Sequence, residues 1–217
     1  LESIKSSFSE TSSEAREKFI NAASRKRLKL SAYENPNLGP LGEKLTCDVA
    51  SSGAVNADKT VIIISGTHGV EGFCGSGCQI DWLECWNPAL ISEKTAVLFV
   101  HAINPYGFAW CRRVTEEGCD LNRNFLDFSQ PLPKNVGHDE LVNAFVPDNL
   151  DIESMLKAEN LIKNYRETHG ELAFQKARKS GHYKHAHSMF FGGFGPTWAR
   201  RTLEKIISDY ELASKSF

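Results

Sequence analysis

His68 and Glu71 stand three residues apart in Ser65-Gly66-Thr67-His68-Gly69-Val70-Glu71-Gly72, directly after the apolar run Val61-Ile62-Ile63-Ile64. An imidazole nitrogen and a carboxylate oxygen at that spacing can hold a divalent ion, and the donor types suit zinc. The motif is short, and the plainer reading is a helix start with a hydrogen-bonded histidine. A second group follows in Asn104-Pro105-Tyr106-Gly107 and Asp120-Leu121-Asn122-Arg123-Asn124-Phe125. Arg123 offers a planar fork that binds a carboxylate through two parallel hydrogen bonds. Asn122 and Asn124 add amides able to donate and accept, and Asp120 is placed to orient Arg123. The plainer reading of this second group is a solvated loop with a surface ion pair. Arg112 and Arg113 supply further cations, of which one is expected to point inward. A guanidinium beside a metal stabilises a developing oxyanion.

These side chains need a rigid frame. Val61 to Ile64 is β-branched and apolar throughout, the pattern of a central strand covered on both faces. Phe73 to Trp86 reads as a helix, and Ala96-Val97-Leu98-Phe99-Val100 as a second buried strand. Strand, turn, helix and strand make a βαβ unit, with His68 and Glu71 at the carboxyl end of its first strand, where α/β proteins place ligand sites.

Around that unit, residues 11–27 predict a helix. Its Thr11-x-x-Glu14 has capping-box form, and Ala15, Phe19, Ile20 and Ala23 make an apolar stripe. Lys29 to Tyr33 and Leu45 to Ala50 read as strands, joined by a turn over Glu34 to Pro40. Beyond Phe125, Ser129 to Val136 is a proline-containing loop. Residues 147–168 predict a helix with Ile152, Met155, Leu156, Leu161, Ile162 and Tyr165 on one side. Leu172 to Lys179 follows as another helix, Ser180 to Pro196 as loop, and Thr197 to Ser214 as a last helix.

The chain has 217 residues, enough for one sizeable core, with 41% hydrophobic and 24% charged residues. A single α/β domain over residues 1–217 is expected. A formal net charge of −2 gives no global attraction to nucleic acid or anionic membrane. No stretch approaches the roughly 20 apolar residues of a membrane span, and the polar start at Leu1 has no signal-peptide core. A cytoplasmic location is the expectation. The six cysteines include no Cys-x-x-Cys pair, and buried reduced thiols are the expected state, with Cys74 and Cys78 sharing a helix face. The tryptophans 82, 86, 110 and 198 are expected in the core.

Gly-x-His-Gly-x-Glu after a strand, then Asn-Pro-x-Gly, then Asp-Leu-Asn-Arg-Asn-Phe, resembles the zinc carboxypeptidase superfamily. That superfamily also contains the aspartoacylase and succinylglutamate desuccinylase branch. The nearer likeness is to an uncharacterised bacterial branch, in which stretches resembling Gly181-His182-Tyr183, Phe191-Gly192-Gly193 and Pro196-Thr197-Trp198 also occur. The likeness is strong over residues 60–125 and looser to about 200. It implies a three-layer α/β sandwich with a mixed, largely parallel sheet flanked by helices. It implies that His68 and Glu71 bind one zinc ion. It implies that Asn122 and Arg123 grip a substrate carboxylate, with Arg112 a further substrate contact. It implies that Arg113, or else Arg112, polarises the scissile carbonyl.

The chain departs from this pattern by lacking the superfamily's later strand-borne histidine, on a segment like Asp-x-His-Thr-Gly, and its later glutamate base. His182, His185 and His187 are close in sequence but lie in loop. The expectation is that the third ligand and the base lie beyond Phe217. The implied function is zinc-dependent hydrolysis of an amide or peptide bond next to a carboxylate, on a small peptide substrate. The alternatives are deacylation of a small N-acyl amino acid, or a non-catalytic binding module on the same sheet.

Overall fold

The structure is a computed structural model describing residues 2–53 and 57–212. The chain divides into two compact units, one of residues 1–116 with 198–217 and one of Glu117–Thr197.

In the first unit, strands β1 (Lys29–Leu38), β2 (Lys44–Ser52), β3 (Lys59–Ile64) and β4 (Thr95–His101) form one sheet in the order β1-β2-β4-β3. β1–β2 and β2–β4 pair antiparallel, and β3–β4 pairs parallel. The fold is α/β with a mixed sheet flanked by helices, and parallel pairing is confined to the expected βαβ unit. Helix α1 covers Glu2–Lys5, α2 covers Ser12–Arg25, α3 covers Gly69–Glu84 and α4 covers Pro105–Ala109.

Three features differ from the sequence pattern. α3 begins at Gly69, ahead of Phe73, so Glu71 sits in its first turn. β1 continues through the expected turn to Leu38. It is an edge strand, where Pro36 can leave out a ladder bond at little cost, and its register shifts between Glu34 and Leu38. β3 is the other edge, with Val61 44% and Ile64 42% exposed. Its β-branched run identifies a strand but does not say how many neighbours that strand has.

The main core lies where α2 and α3 meet one face of the sheet. Phe19, Ala22 and Ala23 of α2, and Ile80 and Leu83 of α3, pack with Ala50, Val97 and Phe99. Trp86 and Trp82 meet Phe99 edge-on at centroid distances of 5.8 and 5.4 Å. Each fully buried side chain of this size contributes about 1.5–3 kcal/mol. At the start of α2 the Thr11 hydroxyl accepts from the Glu14 amide at 3.2 Å, while the Glu14 carboxylate accepts from the Glu10 amide at 2.9 Å. The capping box is thus displaced by one residue on its return bond. Helix α8 (Trp198–Asp209) also belongs to this unit and buries Ile206. Near its end the Tyr33 hydroxyl donates to Asp209 at 2.8 Å. The expected extension over residues 213 and 214 lies outside the described residues.

The second unit contains α5 (Val136–Phe145), α6 (Ile152–His169) and α7 (Glu171–Lys179). Leu141, Phe174 and Ala177 form its core, with Phe145, Ile162 and Tyr165 against them. α5 is absent from the sequence reading. Its start is fixed by Asn135, whose side chain accepts from the His138 amide at 3.1 Å. The expected apolar face of α6 divides: Ile162 and Tyr165 pack inward, while Ile152, Met155 and Leu156 are exposed.

All six cysteines are free, but only Cys47 and Cys119 are buried; Cys74, Cys78, Cys85 and Cys111 are exposed. Of the tryptophans, Trp86 is buried, whereas Trp82 and Trp110 are substantially exposed. Among the described residues no helix is long and apolar enough to cross a membrane.

Candidate metal centre

Where β3 and β4 part, one buried side chain ties them together. The Gln79 amide nitrogen donates to the carbonyls of Ile63 at 2.9 Å and Val100 at 3.1 Å. Its oxygen accepts from the Ser65 hydroxyl at 2.9 Å, and Ser65 Oγ in turn accepts from the Ala102 amide at 3.2 Å. Gln79 belongs to α3, so this cluster fixes the helix to both strands three residues before His68. Neither residue stands out in the sequence as functional. The available signal is a lone glutamine between Cys78 and Ile80 on a helix that packs against the sheet.

The Asn-Pro-x-Gly motif builds the opposite wall. The Asn104 side chain accepts from the Gly107 amide at 2.9 Å and caps α4, with Pro105 at the first helical position. The chain then turns so that the Arg112 carbonyl accepts from the Gly69 amide at 3.0 Å. The approach is close enough that any side chain at Gly69 would overlap the Gly107 carbonyl. The motif therefore docks the Arg112–Arg113 segment against the start of α3.

Three expected residues meet in this frame. His68 is the N-cap of α3 and is buried, with its Nδ1 2.9 Å from Glu71 Oε2. The other Glu71 oxygen is 3.4 Å from Arg113 Nη1. Arg113 is thus the arginine that turns toward the pair, and the Arg112 side chain is exposed. Two atoms bound to one zinc ion at about 2.0–2.1 Å lie about 2.9–3.4 Å apart for angles between square and tetrahedral. The His68–Glu71 separation falls in that range, so the pair fits two ligand positions of a zinc ion. Among the described residues no cluster of three or more His, Cys, Asp and Glu side chains is placed to hold a metal.

His101, just beyond on β4, is a separate feature. It is fully buried, stacks on Phe19 at 4.4 Å and bonds Ser76 Oγ through Nε2 at 2.8 Å. Burial pushes its pKa down to about 4.

Asn122 and Arg123 belong to the second unit. Asp120 caps a single 3-10 turn over Leu121–Arg123 by accepting from the Asn122 amide at 3.1 Å. The Asn122 side chain is exposed. Arg123 Nη2 donates to the Lys179 carbonyl at 3.1 Å, and its own carbonyl accepts from the Tyr183 hydroxyl at 2.8 Å. A methyl group on Gly181 would lie 2.7 Å from Arg123 Cδ, so the absence of a side chain there lets the arginine pack down. Asn124 is fully buried: its amide donates to the carbonyls of Gly192 and Gly195 at 2.8 and 2.9 Å and its oxygen accepts from the Thr197 amide at 2.8 Å. That side chain holds the loop from Phe191 to Thr197 in place.

The loop histidines have structural partners in the same unit. His182 stacks on His138 at 3.8 Å, points Nε2 at the Met189 carbonyl and accepts from the His185 amide on Nδ1. His138 points Nδ1 at the Ala177 carbonyl and Nε2 at Ser188 Oγ. Each ring is thereby held as one neutral tautomer, and burial lowers both pKa values, that of His182 to about 4. His185 pairs with Asp139 at 2.8 Å.

Residues 8–217 match the family described as "Protein of unknown function (DUF2817)". No curated protein matches the chain. Two solved structures are similar in part. A glutaminyl cyclase from Macrostomum lignano aligns at 11% identity and a TM-score of 0.30, over 40% of this chain and 29% of that one. The chain therefore spans less than a third of the cyclase. A Zn-dependent exopeptidase from Parabacteroides distasonis aligns at 12% identity and a TM-score of 0.33, over 90% of this chain and 71% of that one.

Proposed function

This chain belongs to the DUF2817 family, and we propose that it is a zinc-dependent hydrolase acting on an amide or peptide bond next to a carboxylate. The observation that carries the reading is the convergence of the His68 imidazole, the Glu71 carboxylate and the Arg113 guanidinium at the end of a parallel strand. In this reading His68 Nδ1 and Glu71 would hold the ion, which takes the place of the proton between them. When bound, zinc supplies an acidified water and a Lewis-acidic site for a carbonyl oxygen. Arg113, half-exposed beside Glu71, would donate to the oxygen on which charge gathers. Asn122 and Arg123, on the second unit, are proposed as a grip for a carboxylate, which supplies positioning rather than chemistry. A short peptide and a small N-acyl amino acid both present that carboxylate beside an amide.

A second reading, a binding module without catalysis, is favoured by the lack of a third metal donor among the described residues. Titration calorimetry of chelator-treated protein with zinc chloride tests the assignment. One zinc per chain, lost in both His68→Ala and Glu71→Gln with unchanged circular dichroism, supports the hydrolase reading. Zinc binding that survives in both variants, or none up to about millimolar zinc, overturns it. Release of amino acid from blocked dipeptides, set against deacylation of N-acetyl amino acids by the zinc-loaded chain, then separates the two substrate classes.

A further inference from the structure

The sheet face turned away from α2 and α3 bears a cavity of about 530 Å³. β-strand alternation and register place Lys29 and Ser31 of β1, Ser51 of β2, Leu98 and Ala96 of β4 and Thr60 of β3 on this face. Tyr210, just past the end of α8, closes one side, its hydroxyl donating to Ser31 at 3.2 Å. None of these residues takes part in the candidate metal centre.

Three properties define what would fit. The rim is cationic: Lys26, Arg27 and Lys29 line it, and among the described residues Arg27 and Lys29 have no ion-pair partner. The single acidic side chain on the lining, Asp209, is already engaged by Lys205 at 2.9 Å and by the Tyr33 hydroxyl at 2.8 Å. The interior is mixed, with the hydroxyls of Ser31 and Ser51 beside the apolar surface of Ala96 and Leu98. At the far end Thr60 is 5% exposed, and its hydroxyl oxygen has no hydrogen-bond partner among the described residues. A buried hydroxyl without a partner costs about 1–3 kcal/mol, which a ligand atom would offset.

Arg27 adds an independent sign. The Arg27 amide donates to Ser24 and the Leu28 amide to Ala23, the paired bonds that end α2 in a Schellman turn. The residue at this position takes a left-handed backbone, φ 58° here, and is usually glycine. Placing an arginine there costs roughly 1–2 kcal/mol. That strain sets a guanidinium on the cavity rim.

We propose that this cavity binds an elongated amphipathic organic anion. Its anionic head would lie at Arg27 and Lys29, its apolar body along Ala96 and Leu98, and a hydrogen-bonding group at Thr60. Lys29 is level with Ser51, Leu98 and Ile62, so Thr60 lies three strand spacings across and two residues along from it, about 16 Å, which sets the length of a ligand that uses both ends.

The probe is 8-anilinonaphthalene-1-sulfonate, a rigid aromatic anion, with uncharged N-phenyl-1-naphthylamine as its comparison. Saturable binding of one sulfonate probe per chain is expected. It should weaken about tenfold in the Arg27→Gln/Lys29→Gln double variant, while the uncharged probe binds both forms alike. Both substitutions are at exposed positions, so native circular dichroism should be kept. Ala96→Trp, which fills the cavity from β4, should abolish binding of either probe. The proposal is overturned if the double variant binds the sulfonate as tightly as the parent, or if a folded Ala96→Trp protein still binds it.

Discussion

Replacing Gln79 by Met keeps the side-chain length and the helix propensity and removes only the amide. Three hydrogen bonds disappear, to the Ile63 and Val100 carbonyls and from the Ser65 hydroxyl. Gln79 is 2% exposed, so water cannot readily replace the amide. The Val100 carbonyl keeps the Ser65 amide and Ser65 Oγ keeps the Ala102 amide, so the cost is that of three lost hydrogen bonds at about 1 kcal/mol each, about 3 kcal/mol in all. In a chain of this size that corresponds to a fall of roughly 6–12 °C in the melting temperature of the first unit. Tryptophan fluorescence follows that unit, because Trp82 and Trp86 sit against Phe99 in its core. Urea unfolding of Gln79→Met beside Cys78→Ser, an exposed change on the same helix, isolates the effect. A loss below about 1 kcal/mol would refute the idea that this amide fastens the parting strands.

Gly69→Ala should be more severe than an ordinary glycine-to-alanine change in a helix, which is stabilising by about 1 kcal/mol. Its methyl would overlap the Gly107 carbonyl, so the Arg112–Arg113 segment must withdraw from α3; a lower melting temperature is expected, and an increase would contradict the close approach. The chain should also lose stability in mild acid. His101 and His182 have pKa values of about 4 in the folded state against an ordinary 6.5, so the unfolded chain takes up protons first. The stability of the neutral rings is fully present above about pH 6.5 and is lost as pH falls toward 4. For fully buried His101 the loss is about 2 kcal/mol by pH 5, read as a lower urea midpoint at pH 5 than at pH 7.5. An unchanged midpoint would mean that neither ring is held neutral.

The βαβ frame and the place of His68 and Glu71 on it were legible because strand and helix periods alternate cleanly between residues 59 and 101. Local pattern fails where distant packing decides. Gly69 looks too weak a helix former to begin α3, yet the Gly107 carbonyl lies where its side chain would be. Pro36 reads as a turn, yet an edge strand accommodates it. Helix α5 carries Gly137 in its first turn and is set by the Asn135 cap, a single-residue signal. Asn124 reads as a ligand-facing amide, whereas its three bonds to carbonyls and an amide are needed to hold a loop about seventy residues away.

The two rims of the sheet are guarded unequally. β1 carries Pro36, a Glu34–Lys44 ion pair and a break in register, all of which discourage another chain from zippering on. β3 is an edge strand with Lys59 as its one charge. Crowding the molecule in solution therefore favours β3 as the seam along which chains stick, and self-association should begin there rather than at the opposite rim.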